Sequence, residues 1–150
     1  MPASPRASGR LAEFEDECRQ RGLAVTIQRR TVFGELAGRR DHPTADQVYD
    51  AIRGRLPGLS RTTVYRVLET LVEAGLARKV HHAGGAARFD PMTGRHHHLV
   101  CVACGHLVDL DDALVPPIPL PEAPGTGFRI QDYSVSFTGL CPACAKKKKS

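Results

Sequence analysis

Cys101-x-x-Cys104 and Cys141-x-x-Cys144 each present two sulfur ligands from one tight turn. Two such knuckles supply the four thiolates of a tetrahedral zinc site, which leaves no coordination position open for water. A redox dithiol is the alternative use of such a pair. Just upstream stands "HHH", His96 to His98. Alternate residues of an extended strand face the same way, so His96 and His98 share one face while His97, Leu99 and Cys101 share the other. The histidine pair and the first knuckle should therefore serve different metals. Asp90 lies six residues upstream of the pair and Asp109 lies downstream. Mixed imidazole and carboxylate ligation suits Fe(II), Mn(II) or Zn(II), whereas thiolates select zinc. An exchangeable nitrogen/oxygen site beside a permanent thiolate site has the form of a sensor. His97 and His106 read as bystanders.

Elements must be found to position these groups. The chain has 150 residues, 41% apolar and 25% charged, with no tryptophan. It can fold as one ordinary domain or two small ones on a Leu, Val, Ile and Ala core. No apolar run approaches a membrane span, and "MPASPRASGR" lacks the apolar centre of a signal peptide. A cytoplasmic location is expected, where five cysteines point to metal or redox chemistry rather than disulfides. Residues 1–80 carry 14 basic and 10 acidic side chains. Without the terminal "KKKK", residues 81–150 carry three basic and six acidic ones. The first half thus suits an anionic partner such as DNA and the second suits cations.

Residues 1–10 read as a disordered N-terminus. "RLAEFEDECRQRG" reads as a helix with Leu11, Phe14 and Cys18 on one face, ended by Gly22. Thr26 caps a second helix with apolar Ile27, Val32, Phe33 and Leu36. Thr44-x-x-Gln47 is a capping box ahead of Val48, Ala51 and Ile52, in a helix closed by Pro57 and Gly58. Ser60 caps a fourth helix with Val64, Val67, Leu68, Leu71 and Val72 on its apolar face and Gly75 at its stop. "LARKV" and "ARFD", joined by "HHAGG", read as a two-stranded hairpin. Helices followed by such a wing make a winged helix-turn-helix. The exposed first turns of the last helix carry Arg61, Thr62, Thr63, Tyr65 and Arg66, types that touch bases and phosphates. In the second half, strands flank the first knuckle, and "FRIQ" and "YSVSF" read as further strands. Five prolines between Pro116 and Pro124 exclude a regular helix there. The "KKKK" run, within residues 146–150, reads as a disordered basic tail.

With "HPTADQVYDAI", "TTVYRVLETLVEAGL", "RFD", "RHHHLVCVACGHLVDL" and "FTGLCPAC" in order, the chain resembles the ferric uptake regulator superfamily from about Leu11 to Cys144. The resemblance implies an α+β protein: an N-terminal winged helix-turn-helix over 11–82, a hinge over 83–92, and a small α/β dimerisation domain over 93–145 with a four-cysteine zinc site. It implies structural Zn2+ on Cys101, Cys104, Cys141 and Cys144. It places a regulatory Fe2+ or Mn2+ on His42, Asp90, His96, His98 and Asp109, and DNA contacts on Tyr65 and Arg66. The partners implied are a second copy, as a homodimer, and a palindromic A/T-rich double-stranded operator. Asp90 resembles the peroxide-sensing branch, in which a ligand histidine is oxidised, here His42 or His96. "TVYRVL" resembles the general iron regulators, so iron or manganese uptake control without peroxide sensing is the alternative. The zinc-sensing branch usually places a Cys near the hinge, and this chain has none there.

Three positions depart from the family pattern. Ala24 replaces a basic side chain that reaches the minor groove, the Pro-rich stretch replaces a helix of the dimer domain, and Tyr133 replaces a His of an auxiliary metal site. An enzyme is not expected, because "HHH" and "CPAC" lack the His-x-Glu and Pro-Cys-x-x-Cys of zinc deaminases. A zinc-ribbon interaction module without DNA binding is the remaining rival, set against the retained helix-turn-helix.

Overall fold

The computed structural model describes residues 5–81, 85–91 and 94–149. The chain divides into two compact units, Met1–Thr93 and Gly94–Ser150. Among the described residues no helix is long and apolar enough to cross a membrane.

The first unit runs α1 (Pro5–Gln20), α2 (Ile27–Ala37), α3 (Ala45–Ile52), α4 (Arg61–Glu73), β1 (Arg78–Val80) and β2 (Arg88–Asp90). The caps are those the sequence signals. Thr26 Oγ1 accepts from Arg29 N, Ser60 Oγ accepts from Thr63 N, and Thr44 and Gln47 form a reciprocal capping box. Gly75 takes a left-handed φ of 72°, the conformation that ends a helix and favours glycine. One core joins all four helices and the hairpin through Phe14, Val32, Leu36, Val48, Ile52, Val64, Leu68, Leu71 and Phe89. Phe14 and Phe33 stack with ring centroids 4.2 Å apart. Cys18 is wholly buried in this core, where burial pushes its thiol pKa up. It packs as a small apolar residue.

Some expectations change. The first helix begins at Pro5, so residues 5–10 are helical rather than disordered. Proline is suited to the first helical position, and Arg10 anchors this turn by donating to Pro91 O at 2.6 Å and lying over the Phe33 ring. Ile27 is 64% exposed, because it opens α2 before the first inward-facing position. Ala51 is also exposed, and Ala45 takes its place in the buried stripe of α3. The strands β1 and β2 pair antiparallel as expected. Of the loop "HHAGG", His82, Ala83 and Gly84 lie outside the described residues, as does the rest of the expected hinge at Met92.

The second unit has a three-stranded sheet in the order β4–β3–β5, from β3 (His97–Cys101), β4 (Leu107–Leu110) and β5 (Ser136–Gly139), with a short 3-10 turn at Asp112–Leu114 and α5 (Pro142–Lys148). Neither "FRIQ" nor Tyr133–Val135 joins the sheet, so strand structure is confined to Ser136–Gly139. The parallel pairing with β3 starts at His98↔Ser136. Lysines 146–148 lie in α5 rather than in a disordered tail. A proline at its start and cations in its last turn both favour that helix. Buried apolar side chains are few here, Val100, Leu107 and Val115, with Cys101.

Candidate metal centres

Both knuckles are carried to one end of the sheet by strand direction. Because β5 runs parallel to β3, with Cys101 opposite Gly139, the residues following each strand emerge side by side. The first knuckle turns at Gly105, whose φ of 73° suits glycine, with Gly105 N donating to Cys101 O at 2.8 Å. The second turns into α5. The four Sγ atoms lie within 4.8 Å of one another. Cys104 and Cys141 sulfurs stand 3.8 Å apart. Zinc–sulfur bonds of ~2.3 Å at tetrahedral angles separate two sulfurs by about 3.8 Å, so these residues fit zinc.

Their protonation supports the same use. Cys141 N donates to Cys101 Sγ at 3.3 Å. This bond, with other backbone N–H donors of the knuckle, lowers the Cys101 pKa to about 6. Cys144 is pushed up to about 12, because the Cys141 and Cys104 sulfurs around it favour a shared proton over another negative charge. Zinc must displace the Cys144 proton on loading. Cys101 is already a thiolate above about pH 6, and below that its proton must be displaced as well. Zinc affinity measured by chelator competition should therefore fall with decreasing pH, with one further proton entering the slope as pH drops through about 6. An unchanged slope there would contradict this assignment of Cys101.

The nitrogen and oxygen ligands are found in each unit. In the first, His42 and Asp90 are both buried, with His42 Nδ1 3.6 Å from Asp90 Oδ2. His42 adopts φ 47°, the left-handed region that costs a non-glycine residue about 1–2 kcal/mol. In the second unit His96 and His98 lie on one face, ring centroids 4.9 Å apart. Their Nε2 atoms stand 3.4 and 3.6 Å from Asp109 Oδ1, which β4 places directly opposite His98. Ligands at 2.0–2.2 Å from one ion sit about 3–3.6 Å apart, so the spacing of His96, His98 and Asp109 fits such an ion. His96 Nδ1 lies 2.8 Å from Gly94 O. A proton on Nδ1 donated to that carbonyl leaves Nε2 as the ligand atom, the usual support of a metal-bound imidazole.

His97 is more than a bystander. It is fully buried, accepts at Nδ1 from Val135 N at 3.0 Å, and reaches Asp112 Oδ1 with Nε2 at 2.8 Å. Its ring also stacks on Tyr133, over which Arg95 lies while pairing with Asp132. The alternation of the triplet already placed His97 on the face opposite the ligands. Its burial was not visible, because its partners come from residues 112 and 133–135.

On α4, Arg61, Thr62, Tyr65 and Arg66 are exposed. Thr63 is half-buried and serves the cap, its Oγ1 2.9 Å from Ser60 Oγ. Arg61 pairs with Asp46 at 2.6 Å and lies over the Tyr49 ring, which fastens it to α3.

A winged helix followed by a small sheet unit with a four-cysteine centre defines a class of metal-responsive regulators, and comparisons with known proteins narrow it. Residues 20–138 match the model of the ferric uptake regulator family. The peroxide operon regulator of Bacillus subtilis is 32% identical over 142 residues, covering 95% of this chain and 98% of the relative. The transcriptional regulator FurA of Mycobacterium tuberculosis is 35% identical over 136 residues, covering 90% and 92%. A zinc uptake regulator solved with zinc and DNA superposes with a TM-score of 0.71 at 23% identity, covering 98% of this chain and all of that one. The chain belongs to the ferric uptake regulator family. Its members are metal-responsive transcriptional regulators rather than enzymes.

Proposed function

We propose that the chain is a metal-dependent DNA-binding repressor that acts as a homodimer. The single observation that carries this reading is the presence of two chemically distinct ligand sets: four sulfurs at zinc spacing, and, in each unit, buried imidazole beside a carboxylate at Fe(II) or Mn(II) spacing. In this reading Cys101, Cys104, Cys141 and Cys144 hold a permanent zinc. His42, Asp90, His96, His98 and Asp109 take one exchangeable Fe(II) or Mn(II). Such an ion would bias one arrangement of the two units over another, by as much as its affinities for the two differ.

Arg66 and Tyr65 supply the DNA contacts, with Thr62 beside them and Thr63 holding the helix start. Arg61 must leave Asp46 to reach a phosphate; the pair is exposed and exchanged readily. The duplex is a palindromic A/T-rich operator, matching the two-fold symmetry of a dimer. The zinc uptake regulator solved with DNA has the same fold. Leu99, Val108 and Phe137 form an exposed apolar row across the sheet, suited to contact a second copy.

The regulator acts as a peroxide sensor in this reading, on the strength of Asp90 and of the B. subtilis relative's name. Fe(II) supplies the electron for peroxide reduction when bound. His42 and His96 are the imidazoles placed to take up oxygen, and either loss would release metal and DNA. Control of iron or manganese uptake is the second reading, favoured by the "TVYRVL" helix. The test is intact-mass analysis after peroxide treatment. The Fe(II) form should gain the mass of an oxygen atom on His42 or His96, and the Mn(II) form should not. No gain with Fe(II) leaves the uptake reading in its place.

A further inference from the structure

Two ligands of the first unit, His42 and Asp90, reach each other through a short segment and a strand that are laced together. Strand alternation puts Arg88 and Asp90 on one face of β2 and turns Phe89, wholly buried, into the core. Phe89 N donates to Pro43 O at 2.9 Å, and Arg88 forms an antiparallel bridge with Thr44. The Arg88 guanidinium then reaches back over this pairing. Its Nη1 donates to His42 O at 3.0 Å and to Asp41 O at 3.3 Å. On the other side Arg39 grips the Asp41 carboxylate with two nitrogens, at 2.8 and 2.6 Å. Between these two clasps sits His42, the only non-glycine residue of positive φ among the described residues.

We infer that Arg88 is the positioning residue for His42: by holding the carbonyls of Asp41 and His42, it keeps the left-handed backbone that aims the imidazole at Asp90. "RFD" thus combines three tasks on three consecutive residues, a backbone clasp, a core anchor and a ligand. A guanidinium suits the first task, since it always carries charge and the two hydrogens of one planar Nη nitrogen can serve two adjacent carbonyls. Without it the segment can relax to ordinary φ, and the imidazole turns from the carboxylate. The ion would then have to pay the reordering itself.

This inference rests on the proposed regulatory site, and its test separates the two. Mn(II) affinity is measured by the paramagnetic resonance of free Mn(II) in the zinc-loaded full chain, for the parent, His42→Ala, Arg88→Met and Arg88→Lys. Hydrogen exchange at the Phe89 amide reports its bond to Pro43 O alongside. Arg88→Met should bind Mn(II) about 10–100-fold more weakly, the usual loss when a ligand's support is removed. Arg88→Lys, which keeps the charge on a shorter, freely rotating ammonium, should fall between Arg88→Met and the parent. A purely structural role predicts faster Phe89 exchange with Mn(II) affinity unchanged. Parental affinity in either folded Arg88 variant overturns the inference, provided His42→Ala weakens binding. Parental affinity in His42→Ala overturns the regulatory-site reading and the inference with it.

Discussion

Cys101→Ser should yield a chain without tightly bound zinc whose residues 94–150 are unfolded while the helical unit stays folded. The asymmetry follows from where the apolar burial lies. The buried core cluster is drawn wholly from residues 14–89. The second unit buries only a few apolar side chains, whereas Leu99, Val102, Val108, Leu114, Phe128 and Phe137 stay exposed within the single chain. A three-stranded sheet with so little core does not stand alone. A structural zinc supplies an apparent binding energy of about 10–16 kcal/mol near neutral pH, which counts as folding energy when no site exists in the unfolded chain. Serine keeps the shape of the side chain but is a poor zinc ligand, and Cys101 is a sulfur whose pKa the knuckle's backbone donors lower to about 6. Zinc content by metal analysis and amide dispersion by NMR would read the two halves separately. A well-folded second unit in a zinc-free Cys101→Ser chain is the result that would sink this assignment.

His96→Ala should keep its zinc and its fold yet lose metal-dependent DNA binding. His96 is buried on the face opposite His97, and its Nδ1 contact with Gly94 O fixes the ring so that Nε2 faces Asp109. Loss of a supporting group alone costs about 10–100-fold in metal affinity, and loss of the ligand itself should cost at least as much. An ion shifts a two-state equilibrium only by its differential affinity, and a swing from 1:99 to 99:1 needs about 10⁴-fold. A hundredfold loss of that differential affinity removes half of that free energy and returns the equilibrium to about 1:1, and any larger loss leaves most molecules in the state that releases DNA. His97→Ala should do something different. It removes the partner of Val135 N and Asp112 and loosens the sheet unit rather than the switch. DNA binding in His96→Ala at parental strength, still responsive to Mn(II), would contradict the separation of roles along "HHH".

Local rules carried much of this architecture. Capping residues at Thr26, Thr44 and Ser60 have side-chain oxygens that accept from the next turn, so three helix starts were legible from single positions. The alternation of "HHHLVC" separated the two ligand faces because strand geometry has a period of two. The less legible parts depend on contacts distant in sequence. Helix α1 reaches back to Pro5 because Arg10 finds Pro91, 81 residues away. The parallel pairing of β5 with β3, which brings Cys141 to Cys101, spans 40 residues and leaves no local signal beyond the matched knuckles. His42 entered only through family resemblance, since its left-handed backbone depends on Arg88 far along the chain. The strand expected at "FRIQ" failed for a related reason: its residues alternate suitably but pair with no strand among the described residues.

The central claim is that zinc builds the second unit and a second, different ion controls DNA binding. It is tested most directly by fluorescence anisotropy of a labelled palindromic A/T-rich duplex, titrated with the zinc-loaded chain in the absence and presence of Mn(II). Mn(II) should tighten binding about a hundredfold or more, at constant zinc content, within the range expected of coupled sites. Equal affinity with and without Mn(II), or no binding in either, would contradict the account.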